Sequence, residues 1–207
     1  MILAVAPALS AADAPLRERS FDELLTEAVH FHGHLCPGQV LGVRMTLAGC
    51  RGVGIERPRG AGKRLVVVVE IDRCATDAIQ ALAGVSVGKR TLKHLDYGKT
   101  AATFLNRTTG VSVRVSARDS ARALAWAWAP GESDPRAAQI LAYRVMPEAD
   151  LLRVEAVDIR RGWLDRRRVR VFCQGCGEGV NYQREVMAEG RTLCRPCSGD
   201  GYYDRLA

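Results

Sequence analysis

Several features are missing from this 207-residue sequence, and each absence removes a class of protein. No apolar run approaches the ~18 residues of a membrane-spanning helix, so no membrane association is expected. No internal repeat is visible, which excludes a solenoid or propeller, and the only biased tract is an alanine-rich start. There is no cysteine cluster of iron–sulfur type. Phosphate loops are absent too. Gly84-Val85-Ser86-Val87-Gly88-Lys89 is one residue short of nucleotide-binding spacing, Gly98-Lys99-Thr100 has Lys93 where the first glycine belongs, and Gly52-Val53-Gly54 lacks the third glycine. Lys89 and Lys99 read as solvated lysines, with anion binding as the alternative. Met1–Leu9 is apolar, but the first basic residue is Arg17, after that stretch, so the start reads as a tail rather than a secretory leader.

What remains is an ordinary globular composition, 47% hydrophobic and 26% charged. Thirty Lys and Arg against 23 Asp and Glu give a net charge of +7, which suits an acidic partner without identifying one. Seven cysteines are an odd number, and four have metal-site spacing, which argues against a disulfide scaffold and for a reducing, cytoplasmic setting.

Ser20-Phe21-Asp22-Glu23 forms a capping-box sequence, and Phe21, Leu24, Leu25, Ala28 and Val29 follow helical spacing, which predicts a helix over 21–31. A second helix is predicted over Val40–Leu47, then a loop over Gly49–Gly62. Leu65–Ile71 is a β-branched strand, and a short helix over Ala78–Leu82 follows Thr76 and Asp77. A hairpin around Asn106–Gly110, a helix from Asp134-Pro135 to about Val145 and a strand over Leu152–Ile159 complete the core. Helices and strands mix without regular alternation, so the fold class is α+β. An arginine-rich stretch, Arg160 to Arg170, resists burial and marks a boundary. The expected layout is a tail over residues 1–19, an α+β metal-binding core over 20–160, a basic linker over 161–169 and a zinc finger over 170–207.

The finger rests on Cys173, Cys176, Cys194 and Cys197, a Cys-x2-Cys-x17-Cys-x2-Cys pattern. Two thiolates two residues apart curl around one ion, and two such knuckles complete a tetrahedron. Four protein ligands leave no position for substrate, so the expected zinc is structural, and it stabilises a segment too small to build its own core. Gly175 and Gly177 suit the turn. Aromatic residues Phe172, Tyr182, Tyr202 and Tyr203 are scattered around it, too dispersed to make a base-stacking platform.

A second constellation sits in His32-Gly33-His34-Leu35-Cys36-Pro37. Pro37 pushes Cys36 toward extended backbone, and an extended 32–36 segment projects His32, His34 and Cys36 to one side. Two imidazoles and a thiolate suit zinc or another borderline metal, and a histidine beside a thiol also suits nucleophilic chemistry. Cys74 lies between the strand and the next helix, where free N–H groups favour its thiolate. Asp77 is a candidate ligand or base, with helix capping as its alternative. The working hypothesis is that His32, His34, Cys36 and Cys74 form one pocket for a second metal ion, with Cys36, Cys74 and Asp77 as candidate catalytic residues. The alternative is helix-end histidines and core cysteines, and Cys50, without a partner at ligand spacing, reads as packing.

The segments Phe31–Gly38, Gly42-Val43-Arg44-Met45, Cys74–Gln80, Gly88-Lys89 and Asp96-Tyr97-Gly98-Lys99 resemble the E-subunit family of formylmethanofuran dehydrogenase. The resemblance covers roughly residues 20–115, and many members carry a finger like the one at 170–198. It implies an α+β core with a metal pocket, an auxiliary treble-clef zinc finger, dimerisation, and His34, Cys36 and Cys74 as pocket residues, with His32 and Asp77 beside them. It also implies association with a molybdenum or tungsten enzyme of one-carbon metabolism. Many members place a cysteine at the position of Val85, so a ligand set that uses that thiol does not transfer. Three functions follow: a metal-binding accessory or metabolic protein, a metal delivery or sensing protein, and a zinc-finger nucleic-acid-binding protein. The last predicts strongly salt-dependent binding through Arg160–Arg170 and is the least favoured.

Overall fold

The computed structural model describes residues 14–160, 162, 164 and 167–204. Residues 1–13 of the expected tail, and Arg161 and Arg166 of the expected linker, lie outside them. The chain divides into two compact units between Asp158 and Ile159.

The first unit is an α+β layer structure. Helix α1 (Phe21–His32) begins as its sequence predicts. Ser20 Oγ accepts from the Glu23 N–H at 3.2 Å, and the Ser20 N–H donates to Glu23 Oε2 at 2.7 Å. That bond and the Ser20 hydroxyl hold the Glu23 carboxyl below its ordinary range. Helix α2 (Pro37–Gly52) starts on Pro37, whose missing N–H is no loss in a first turn. Strand β1 (Leu65–Val69) leads to α3 (Cys74–Ala83), then β2 (Leu92–His94), β3 (Ala101–Asn106) and β4 (Ser112–Ala117). Helices α4 (Ser120–Trp128), α5 (Pro135–Val145) and α6 (Glu148–Leu151) precede β5 (Leu152–Ala156). Asp134 caps α5 by accepting from the Ala137 N–H at 2.7 Å.

The five strands form one sheet in the order β2-β1-β3-β4-β5, with β1–β2 parallel and the other pairs antiparallel. Register aligns Val67 with Phe104 and Phe104 with Val113, and Val69 with Ala102 and Ala102 with Val115. These residues share one sheet face and join the hydrophobic core with α1, α2 and α3. On the other face Glu70, 7% exposed, is gripped by Arg114, whose Nε and Nη2 each donate to one carboxylate oxygen at 2.7 Å. A bidentate pair of this kind holds both charges where neither could stand alone.

Five boundaries differ from the sequence reading by more than one residue, the first being the start of α2 at Pro37 rather than Val40. Helix α2 runs five residues past Leu47, into the segment read as a loop. Its glycines mark close contacts rather than breaks, because a Cβ on Gly49 would meet the Phe104 ring and one on Gly52 would meet Val113. Helix α3 begins at Cys74 instead of Ala78, and its N-cap is Arg73, not Thr76 or Asp77. Strand β1 ends at Val69 and β5 at Ala156. Short β2 and helix α4 had no clear sequence signal. No helix among the described residues is long and apolar enough to cross a membrane.

At Gly42 a Cβ would stand 2.6 Å from the Ala75 carbonyl oxygen and 2.7 Å from Ala78 Cβ. Backbone cannot move aside as a flexible side chain can. Overpacking of this kind costs about 1–3 kcal/mol, against about 1 kcal/mol that alanine gains over glycine in a helix. Gly42→Ala is therefore expected to lower the urea unfolding midpoint, whereas Gly60→Ala, with nothing within 4 Å, leaves it in place. Equal midpoints for the two variants would show that α2 and α3 are not in this contact.

Candidate metal sites

The core site gathers at the start of α2. His32 is the last residue of α1, Gly33 turns the chain with φ 100, and Cys36 is the extended N-cap of α2. One ligand atom from each of His32, His34 and Cys36 lies within 4.8 Å of the others. The two imidazoles pack at 4.5 Å between centroids, tilted by 40°. The expected convergence of these three is present, but by another route. His32 is helical rather than extended, and the left-handed turn at Gly33, open to glycine without steric cost, folds His34 and Cys36 back toward it.

Asp77, the fourth residue of α3, accepts from His32 Nδ1 at 2.8 Å. A carboxylate can only accept, so Nδ1 carries a proton, and in the neutral ring Nε2 is the nitrogen left with the lone pair. Nε2 is buried and has no hydrogen-bond partner among the described residues, and the His32 side chain is 13% exposed. A carboxylate behind an imidazole whose other nitrogen is unpartnered is the arrangement that orients a metal-ligating histidine. Asp77 thus stands behind His32 rather than at a helix cap.

Cys74, the first residue of α3, lies against the first turn of α2 but is not among the three donors that are mutually close. Burial first, and the Cys36 thiol second, push the Cys74 thiol up. The helix start is where the sequence reading needs it, yet its N–H groups do not outweigh desolvation. Gln39 escaped that reading altogether: fully buried, it donates from Nε2 to the Cys74 carbonyl at 2.6 Å. Its only sequence signal is its place three residues after Cys36. Cys50 is buried and pushed up to about 12 by burial, as a packing residue should be. Val85 is 3% exposed and belongs to the core.

The second unit carries the other group. Strands β6 (Arg170–Phe172) and β7 (Gly179–Asn181) form one antiparallel hairpin, and β8 (Val186–Ala188) and β9 (Arg191–Leu193) another. Cys173 and Cys176 follow β6, Cys194 and Cys197 follow β9, and their four sulfurs lie within 4.8 Å of one another. The N–H groups of Cys194 and Gly175 donate to Cys173 Sγ at 3.2 and 3.3 Å. The Cys194 N–H above all draws the Cys173 thiol down to about 6. Crowding against Cys194 and Cys176 pushes the Cys197 thiol up to about 12. Without a cation the four sulfurs cannot all ionise; a cation that accepts four thiolates removes that conflict. Gly177 has φ 78, as the turn needs, while Gly175 serves by closeness, with a Cβ there 3.0 Å from Cys197 Cβ.

Only Cys173 and Leu193 are buried apolar residues among those described in this unit. Metal removal with a chelator at neutral pH is expected to open residues 167–204 to trypsin while the core over 20–156 resists. Protection that survives complete metal loss would show that the unit holds itself together.

A family model described as FmdE, molybdenum formylmethanofuran dehydrogenase operon, matches residues 31–153. That span contains the core site and ends before the four-cysteine unit. The crystal structure of a tungsten formylmethanofuran dehydrogenase FmdE-like protein from Syntrophus aciditrophicus superposes with a TM-score of 0.63 at 22% identity, covering 92% of this chain and 98% of that one. At that identity the likeness shows the fold. A probable S-adenosyl-L-methionine-binding protein of Archaeoglobus fulgidus is 39% identical over 94 residues, 44% of this chain but only 26% of the relative's length. With more than half of its length matched by the family model, the chain belongs to the FmdE family.

Proposed function

We propose that this protein is a metal-dependent accessory or metabolic component of one-carbon chemistry, with a metal held in the core by His32, His34, Cys36 and Cys74 and a structural zinc held by Cys173, Cys176, Cys194 and Cys197. The observation that carries the reading is His32: an imidazole pinned by Asp77 through Nδ1, with a buried, unpartnered Nε2 beside His34 and Cys36. A buried nitrogen lone pair with no donor opposite it costs free energy, and a cation turns that cost into a bond.

In this reading Cys36 and Cys74 act as ligands and Asp77 as the residue that orients His32, rather than as nucleophile and base. The bound ion supplies Lewis acidity toward a carbonyl or a water. Desolvation raises the Cys74 thiol, and a thiol that ligates gives up its proton, so metal uptake would release acid. The mixed donor set of two imidazoles with thiolates fits zinc and its borderline neighbours. The family description, a formylmethanofuran dehydrogenase operon, supports the link to one-carbon metabolism.

A second reading, metal delivery or sensing, draws on exposure: His34 is open to solvent and Cys36 partly so. A site open on one side exchanges its ion. A chelator that empties the core site within minutes, while the finger keeps its ion, favours delivery; retention at both sites favours the metabolic role.

Elemental analysis of protein purified without added metal tests the core site. Two metals per chain are expected in wild type and one in Cys36→Ser/Cys74→Ser; one zinc in both would sink the pocket. Asp77→Asn leaves the ligands intact but loosens the ring behind them. It is expected to weaken the core ion by about 10–100-fold, the usual effect of losing such an outer partner, without touching the finger. Unchanged affinity in a competition titration would remove Asp77 from the site.

A further inference from the structure

We infer that Gln39 is a positioning residue of the core site, whose side-chain amide sets where Cys74 stands relative to Cys36; the inference rests on the metal-pocket reading above. Gln39 is the third residue of α2 and is completely buried. Its Nε2 donates to the Cys74 carbonyl at 2.6 Å. Because a carbonyl can only accept, that bond fixes the amide orientation, with Nε2 toward α3 and Oε1 turned from that carbonyl. Oε1 is buried with no hydrogen-bond partner among the described residues.

A fully buried amide with one orphan oxygen is a poor choice for packing. The unpaired oxygen costs free energy that methionine or leucine, of similar volume, would avoid. What neither could supply is the N–H bond to Cys74. The side chain is therefore explained by its donor and not by its bulk.

That bond joins two helix starts at the place where the thiols meet. Cys36 is the N-cap of α2 and Cys74 the first residue of α3, and neither helix has a side-chain cap of its own. Between them, a Cβ on Gly38 would lie 2.7 Å from Cys74 Cβ and 3.6 Å from its Sγ. The first turn of α2 thus holds Cys74 twice, by contact at Gly38 and by hydrogen bond at Gln39. Contact sets how near the turns can come; the directional bond sets the rotation and height of α3, and with them the aim of the Cys74 sulfur. His32 already has Asp77 as its outer partner, and Gln39 is the corresponding partner of Cys74.

The test uses the full chain with zinc in the finger, titrated with cobalt(II). Wild type is expected to show the thiolate-to-cobalt charge-transfer band of a two-thiolate core site. Gln39→Met keeps the volume and loses the donor. Its band is expected to fall to about half, with cobalt affinity lower by about 10-fold or more. Its thermal midpoint without cobalt should hold or rise, because the orphan oxygen is gone. A role in folding alone would lower the midpoint and leave the band unchanged. Wild-type affinity and band intensity in Gln39→Met would overturn the inference. Should that variant fail to fold, Gln39→Leu, also apolar and without any donor, is read in the same way. A wild type that takes up no cobalt beyond the finger sinks the metal-pocket reading, and this inference with it; cobalt uptake that Gln39 variants leave unchanged sinks the inference alone.

Discussion

The close approach of α2 and α3 is the constraint on which the core site depends. Gly38 and Gly42 lie one helical turn apart on α2, and each faces a part of α3 where no Cβ fits: Cys74 at the first, Ala75 and Ala78 at the second. Helices this near must bring their N-termini side by side, so Cys36 at one start and Cys74 at the other become neighbours although 37 residues of chain separate them. Helix α3 also packs on α1, which puts Asp77 opposite His32. One short helix therefore serves the site twice, with a thiol from its first position and a carboxylate from its fourth. Moving α3 outward by the width of a methyl group would separate both pairs at once.

The segments that carry the family resemblance do two kinds of work, and the structure separates them. His32, His34 and Cys36 converge, and Cys74 adjoins the first turn of α2. Gly42 and Arg44, from another of the same segments, only hold the frame. Arg44 donates from Nη1 to the Tyr143 and Arg144 carbonyls at 2.9 and 3.3 Å and from Nη2 to the Met146 carbonyl at 2.9 Å. It thereby satisfies the carbonyls that the last turn of α5 leaves open. Burial lowers its guanidinium pKa, yet the group stays charged because its ordinary value is so far above neutrality. A recurrent arginine in a motif is easily mistaken for a substrate anchor; here its donors point into the protein.

Legibility in the sequence followed the range of the interaction. The capping box of α1, the Asp134 cap of α5 and the hairpin of β3 and β4 depend on residues a few positions apart, and all were readable. The end of α2 was not, because Gly49 and Gly52 look like breakers until Phe104 and Val113, more than fifty residues on, supply the reason for them. The gathering of His32, His34 and Cys36 was readable from spacing, but the geometry inferred for it was not the one used. An alternating strand and a helix end followed by a left-handed glycine place the same side chains together, and spacing does not distinguish them. Asp77 and Gln39 act across 45 and 35 residues on groups that periodicity does not mark, so their tasks became visible only with α3 in place.

Donor chemistry separates the two metal groups further. Four thiolates around a divalent ion leave the finger centre with two negative charges, and no vacant position. Arg191 and Arg195 stand in the same unit, Arg191 donating to the Gln174 carbonyl at 2.9 Å between the first two cysteines. Such a centre repels electron-rich ligands and suits a brace. In the proposed core site, two neutral imidazoles with a Cys36 thiolate would leave a divalent ion with one positive charge, and ionising Cys74 would cancel it. In the metal-pocket reading, the proton on Cys74 would decide whether a core ion is electrophilic or neutral. Burial and the neighbouring thiol both favour keeping that proton. A residue that aims the Cys74 sulfur at such an ion would then also bear on how readily the proton leaves. By the inference drawn from Gln39, its hydrogen bond to the Cys74 carbonyl would reach the charge of a core ion through that one sulfur.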